Sequence, residues 1–332
     1  MSKSATPPAV RLVAAILLFF CTWSTPAWAA LPSWTDGEAK LAILAFVQLV
    51  TSPGEMFVAK ESRVAVFDND GTLWTEQPIY NEVAFSIDRA AELARVDPSL
   101  ASRPAFQAVL SGEHARVAAL SPADLMELVA ATHSGLTVDQ FSVSAAAWLS
   151  QARHPESGRL YPDGVYQPML ELMDYLRASG FEVFIVSGGD RDFIRAFARE
   201  TYGVAPWQVI GSSNVTDLVG QDHSWALVRT GKSLGDDGPD KTRNIALQIG
   251  VRPIFAAGNS DGDLQMLQYV TGAPGARFGL IVHHDDAVRE YAYDRASPVG
   301  KLDVALDAAG PAGWTVVSMR DDWRIVFPDA AR

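Results

Sequence analysis

The sequence predicts an α/β fold: a doubly wound parallel sheet with an inserted helical cap. Three observations predict it. Short apolar runs at 64–67, 181–186 and 254–257 each end in polar turn residues, the mark of strands buried on both faces. Helical patterns separate the later strands, and that alternation makes a parallel sheet with right-handed crossovers. Between the first two strands lies a stretch of roughly eighty residues with only helical pattern, rich in Ala and Leu, which places it outside the sheet.

Taken in order, 36–50 reads as a helix, with Leu41, Ile43, Leu44, Phe46, Val47 and Val50 forming its apolar stripe. Asp36 is its expected cap, and Ser52-Pro53-Gly54 stops it. The strand ending at Phe67 follows. Within the insertion, helices are expected around 85–93, at 122–132 with Ser121 as cap and Pro122 in the first position, and at 139–151. The sheet pattern then resumes: helix 167–179, strand 181–186, the turn Ser187-Gly188-Gly189-Asp190, and helix 191–202. Strands are expected at 207–211 and 225–229, a polar loop at 231–240, and a helix at 241–250. Strand 254–257, helix 261–269 and strand 279–283 complete the pattern. No internal repeat is present.

The first 29 residues are a separate object. Lys3 and Arg11 precede an apolar run, Leu12 to Trp23, and Ala27-Trp28-Ala29 supplies a small-x-small cleavage signal. This reads as a secretory signal peptide. The run is about a dozen residues long, short for a spanning helix, so no stable membrane anchor is expected after cleavage. An uncleaved anchor is the competing reading. Removal would take Lys3, Arg11 and Cys21, leaving 25 basic against 39 acidic residues, net −14, and no cysteine. Without disulfides, a packed core must hold the exported chain; the expected destination is a bacterial periplasm. The full chain's net charge of −12 argues against nucleic acid or an anionic membrane surface as partner. A small phosphorylated substrate is compatible with it. Oligomeric state has no sequence signal.

The chemistry concentrates at strand ends, where open α/β sheets place their ligands. Asp68-Asn69-Asp70-Gly71-Thr72 follows the first strand. Two carboxylates this close need a neutralising partner, and a hard cation such as Mg²⁺ takes oxygen ligands of this kind. The plain alternative is a strand-end turn. A calcium loop fails, because no Glu follows at the required distance. Ser187 ends the second strand before two glycines; a hydroxyl and free amides there suit phosphate, although Ser-Gly-Gly is also an ordinary turn. Lys241 opens a helix, against the helix dipole. Lys232 competes with it in Gly231-Lys232-Ser233, but a phosphate loop would need glycine where Ala226 stands. Gly258-Asn259-Ser260-Asp261-Gly262-Asp263 follows the next strand.

In that order, the four motifs resemble those of the haloacid dehalogenase superfamily, and its phosphoserine-phosphatase-like members with a helical cap of the C1 type. The resemblance runs from about Ser62 to Asp285. It implies a Rossmann-like core at 30–78 and 161–332, and a cap at 79–160. It further implies a phosphomonoesterase in which Asp68 is the nucleophile and Asp70 the acid and base. Ser187, Gly188 and Lys241 would bind phosphate, and Asp68, Asp70, Asn259 and Asp263 would form the Mg²⁺ site. One departure stands out: Asn259 occupies a position that is Asp in the family pattern. Its amide oxygen can ligate but brings no charge, so the direct ligand is either Asn259 or Asp263. Asp70 argues against a dehalogenase, which lacks the second acid. A phosphomutase or phosphotransferase, and a binding protein on a spent catalytic scaffold, are the competing functions. Trp74, Glu76 and Tyr80 either line the pocket or pack cap against core. His283-His284 sits on a strand, where neighbours face opposite ways, which favours a structural role over a second metal.

Overall fold

The computed structural model describes residues 30–113, 116–117, 119–221 and 223–328. The expected signal peptide, with Cys21, lies outside these residues. Among them, no helix is long and apolar enough to cross a membrane.

The sheet runs β4-β3-β2-β1-β5-β6-β7, with β8 also paired to β6. Its strands are β1 (Val64–Phe67), β2 (Glu182–Asp190), β3 (Val209–Gln221), β4 (Ser224–Leu234), β5 (Phe255–Gly258), β6 (Phe278–Asp285), β7 (Ala292–Tyr293) and β8 (Thr315–Ser318). Strands β3, β2, β1, β5, β6 and β8 are parallel; β4 and β7 run antiparallel to their neighbours. Alternation along β1 explains the two layers. Ala65 and Phe67 join one core with α1 (Glu38–Thr51), α6 (Gln167–Ala178) and α7 (Arg191–Tyr202). Val64 and Val66 join the other, with α8 (Pro239–Gln248), α9 (Leu264–Thr271) and α10 (Val304–Ala312). Every β1 side chain is buried, as a central strand of a doubly wound sheet requires.

The insertion contains α2 (Asn81–Val96), α3 (Pro104–Leu110), α4 (Pro122–His133) and α5 (Val138–Leu149). It has a small core of its own around Ala90, Phe106 and Leu128. Ser121 and Asp124 form a capping box on α4, and Thr137 and Gln140 form one on α5.

Several expectations change. Asp36 does not cap α1: Gly37 holds that position, and Asp36 accepts from Lys40 at 3.0 Å instead. Ser187-Gly188-Gly189-Asp190 is strand rather than turn. A bulge takes up the two glycines while β3 continues alongside, and Ser212 Oγ donates to the Gly188 carbonyl at 2.6 Å. The two short strands expected at 207–211 and 225–229 are one long hairpin, β3–β4, that claims part of the expected 231–240 loop. Leu218, Trp225 and Leu227 are exposed on it, so it carries no alternation of buried and polar residues to read. The hairpin reaches the insertion: Arg229 N donates to Leu136 O, and Gly135 N to Arg229 O, both at 2.9 Å.

Candidate active site

Strand β1 delivers Asp68 to the sheet's carboxyl edge, where its amide extends the β1–β5 ladder by donating to Ala257 O at 2.9 Å. The chain then turns back tightly. Leu73 N donates to Asn69 O and Gly71 N to Trp74 O, each at 2.8 Å. Gly71 has a positive φ of 72°, and a Cβ there would lie 2.1 Å from Asn259 Nδ2. Only glycine lets the loop press against the β5 loop.

Asp68, Asp70 and Lys241 face a cavity of about 410 Å³, together with Gly188, Gly189 and Ser260. Lys241, on the first turn of α8, donates at 2.6 Å both to Asp68 Oδ1 and to Asp263 Oδ1. Burial pulls against its charge, but the two carboxylates hold its pKa above the ordinary lysine range. Burial and the Asp263 charge push Asp68 up, and Lys241 draws it back. Asp70 Oδ1 accepts from Trp74 Nε1 at 2.8 Å. Burial raises Asp70 to about 6 against that hydrogen bond, with Glu82 adding to the rise.

Ser187 is fully buried; its Oγ accepts from Gly189 N at 3.1 Å and lies 3.5 Å from Asp70 Oδ2. Asp263 spends its second oxygen on the Asn259 and Ser260 amides, at 3.0 and 3.1 Å. Asn259 is buried, with Oδ1 accepting from Thr72 Oγ1 at 3.0 Å and Nδ2 donating to Glu76 Oε1 at 2.7 Å. Among the described residues, no three His, Cys, Asp or Glu side chains form a group able to hold a metal. A cation here would rest on mixed hard oxygens: the Asp68 carboxylate, the Asp70 main-chain carbonyl and the Asn259 amide oxygen. That donor chemistry suits Mg²⁺, which keeps few protein ligands and several waters.

Of the residues left ambiguous by the sequence, Glu76 and Tyr80 line the cavity, while Trp74 stacks on Phe197 at 4.5 Å. His284 is buried: Nε2 lies 2.7 Å from Gly71 O, Nδ1 3.3 Å from Glu290, and the ring stacks on Tyr293. It supports the loop from behind. His283 points the other way, towards Asp294.

Sequence reasoning missed the far wall. Glu82 and His133 line the cavity, 3.2 Å apart, and Glu82 Oε2 accepts from Asp190 N at 2.8 Å. Arg229 on β4 binds Asp190 and Asp192 beneath them. Acidic residues near a helix start, as Glu82 is on α2, read as ordinary dipole partners, so no local signal marked them.

The haloacid dehalogenase-like hydrolase family matches residues 65–268 of the chain. No curated protein sequence matches. Among solved structures, the chain is similar to a conserved functionally unknown protein from Anaerococcus prevotii, at 16% identity and TM-score 0.49, covering 74% of this chain and 86% of that one. It is also similar to a protein of unknown function from Bordetella pertussis, at 15% identity and TM-score 0.48, covering 77% and 97%. A probable phosphoserine phosphatase from Vibrio cholerae is a third, at 20% identity and TM-score 0.36, covering 84% and 75%. The family match spans every motif from Asp68 to Asp263, and the chain belongs to the haloacid dehalogenase-like hydrolases.

Proposed function

We propose that the protein is a Mg²⁺-dependent phosphomonoesterase working through an aspartyl-phosphate. The observation that carries this reading is Lys241 bridging Asp68 and Asp263 beside Asp70, at the wall of one cavity. Asp68 attacks phosphorus in line, and the bond to the leaving alcohol oxygen breaks. Asp70 gives its proton to that oxygen; a pKa of about 6 keeps a usable share protonated near neutrality. In the second step Asp70 takes a proton from water. That water attacks the phosphorus, releasing phosphate and restoring Asp68. Lys241, the Ser187 hydroxyl and the Gly188 backbone amide steady the phosphoryl oxygens, so positioning and electrostatics supply most of the acceleration. Mg²⁺, when bound, would be held by Asp68, the Asp70 carbonyl and Asn259, with Asp263 behind them, and would supply positive charge to the phosphoryl group.

The insertion at 79–160 and the β3–β4 hairpin together would cover the substrate. Export, read from residues 1–29, is part of the same proposal, because a phosphatase outside the cytoplasm can free phosphate or alcohol from external esters.

The test is phosphate release from an aryl phosphate by the protein lacking residues 1–29, with Mg²⁺ and with EDTA, beside Asp68→Asn. Release that needs metal and vanishes in the variant is expected. Release that survives Asp68→Asn, or no release from any of a broad panel of phosphomonoesters, would sink the reading.

A further inference from the structure

We infer that Glu76 carries the negative charge that position 259 lacks, acting as a positioning residue for the cation site through the Asn259 amide. The inference rests on the Mg²⁺ reading above and adds to it a residue outside the four motifs.

Two glycines clear space for this one carboxylate. A Cβ on Gly71 would sit 2.2 Å from Glu76 Oε1, and one on Gly300 only 1.8 Å from it; both glycines have positive φ, 72° and 62°. Glu76 is 1% exposed. Oε1 accepts from Asn259 Nδ2 and from Tyr293 Oη, each at 2.7 Å. A carboxylate only accepts, so Asn259 must present its nitrogen to Glu76. The amide oxygen is thereby turned towards Thr72 and the Asp68–Thr72 loop. The flip of this amide is set chemically.

Charge points the same way. No lysine or arginine pairs with Glu76 among the described ion pairs, and Lys241 is committed to Asp68 and Asp263. His284, whose ring also bears on Glu76, is paired with Glu290 at 3.3 Å. A buried carboxylate with two neutral donors is costly. A cation held at the hard-oxygen site one hydrogen bond away would offset that cost. The carboxylate expected at 259 has in effect been moved across that hydrogen bond. Tyr293 and Gly300, from the segment after β6, build its seat.

Glu76→Gln separates charge from contact, because both hydrogen bonds end on Oε1, which Gln keeps. Three variants are compared with wild type: Glu76→Gln, Asn259→Asp and the double. Mg²⁺ affinity is read by calorimetry, and melting temperature is read in EDTA. For Glu76→Gln we expect Mg²⁺ affinity to fall about 10- to 100-fold, the range for outer-layer partners of metal ligands. Its metal-free melting temperature should rise. Asn259→Asp sets two carboxylates against each other and should melt lower in EDTA. The double variant should regain both the affinity and the stability. Unchanged Mg²⁺ affinity in Glu76→Gln would overturn the inference, as would a double variant that binds Mg²⁺ no more tightly than Glu76→Gln, or failure of Glu76→Gln to fold. Mg²⁺ binding without phosphatase activity would sink only the activity; a wild type that binds no Mg²⁺ would sink the cation site and this inference together.

Discussion

Lys241 Nζ lies 2.6 Å from Asp68 Oδ1, joining residues 173 positions apart in the chain. The same ammonium holds Asp263 at the same distance. One cation therefore sits between the residue assigned as nucleophile and the loop after β5. Asp68→Asn keeps the shape and an oxygen for Lys241 but removes the attacking charge. Turnover of an aryl phosphate should fall on the order of 10⁴-fold or more, as when a nucleophile is deleted elsewhere. Circular dichroism should show an unchanged fold. Activity within tenfold of wild type would refute the assignment.

Lys241→Met tests the same triangle through stability. Asp68 and Asp263 are 5% and 0% exposed, and both would lose their cation. Removing one partner of a buried pair costs about 3–5 kcal/mol. Urea unfolding in EDTA should show a loss of that size with an unchanged m-value. A loss below about 1 kcal/mol would mean that the two carboxylates share a proton and do not depend on Lys241.

How much of this was legible in the sequence follows from where each signal lives. Asp68, Asp70, Lys241 and the Asn259–Asp263 loop could be found because each follows or opens an element with strong local pattern. The parallel sheet was legible for the same reason: Val64–Phe67 has no polar residue to confuse its burial. The β3–β4 hairpin was misjudged in length, since its side chains face solvent or the insertion rather than a regular core. Ser187–Asp190 looked like a turn because glycine pairs usually are. Its extended form is imposed from outside, by Ser212 and Glu82. Glu82, His133 and Arg229 meet only in three dimensions, and no local spacing encodes that meeting.

The metal-free protein should lose stability as pH rises from about 4 to 7. Asp70 and Glu76 both have folded-state pKa values raised by burial, to about 6 and about 7, from ordinary values of 3.8 and 4.5. Between those limits the folded state holds more protons than the unfolded state, so unfolding free energy falls with pH. The contribution is fully present below the unfolded values and is lost as pH passes the folded ones. Melting curves in EDTA at pH 4.5, 6 and 7.5 measure it. Asp70→Asn and Glu76→Gln should each flatten the profile in its own window. A profile equally steep in both variants would assign the titration elsewhere.

Arg229 should matter to both stability and substrate binding. Its side chain is fully buried; it donates to Asp192 Oδ2 at 2.8 Å, to Asp190, and to His133 O at 3.0 Å, and it lies 3.9 Å over the Phe141 ring. It thus ties the hairpin to the end of α4 and the start of α7. Asp192 retains Arg195 at 3.3 Å if Arg229 is lost, but Asp190 has no other ion pair among those described. Arg229→Met should therefore cost about 3–5 kcal/mol, through one uncompensated buried charge. Arg229→Lys should recover only part of it, since an ammonium cannot reproduce the guanidinium fork. Because the Asp190 amide fixes Glu82 in the cavity wall, KM should rise in Arg229→Lys more than kcat falls. Equal losses in kcat and kcat/KM would place Arg229 in support of the chemical step instead.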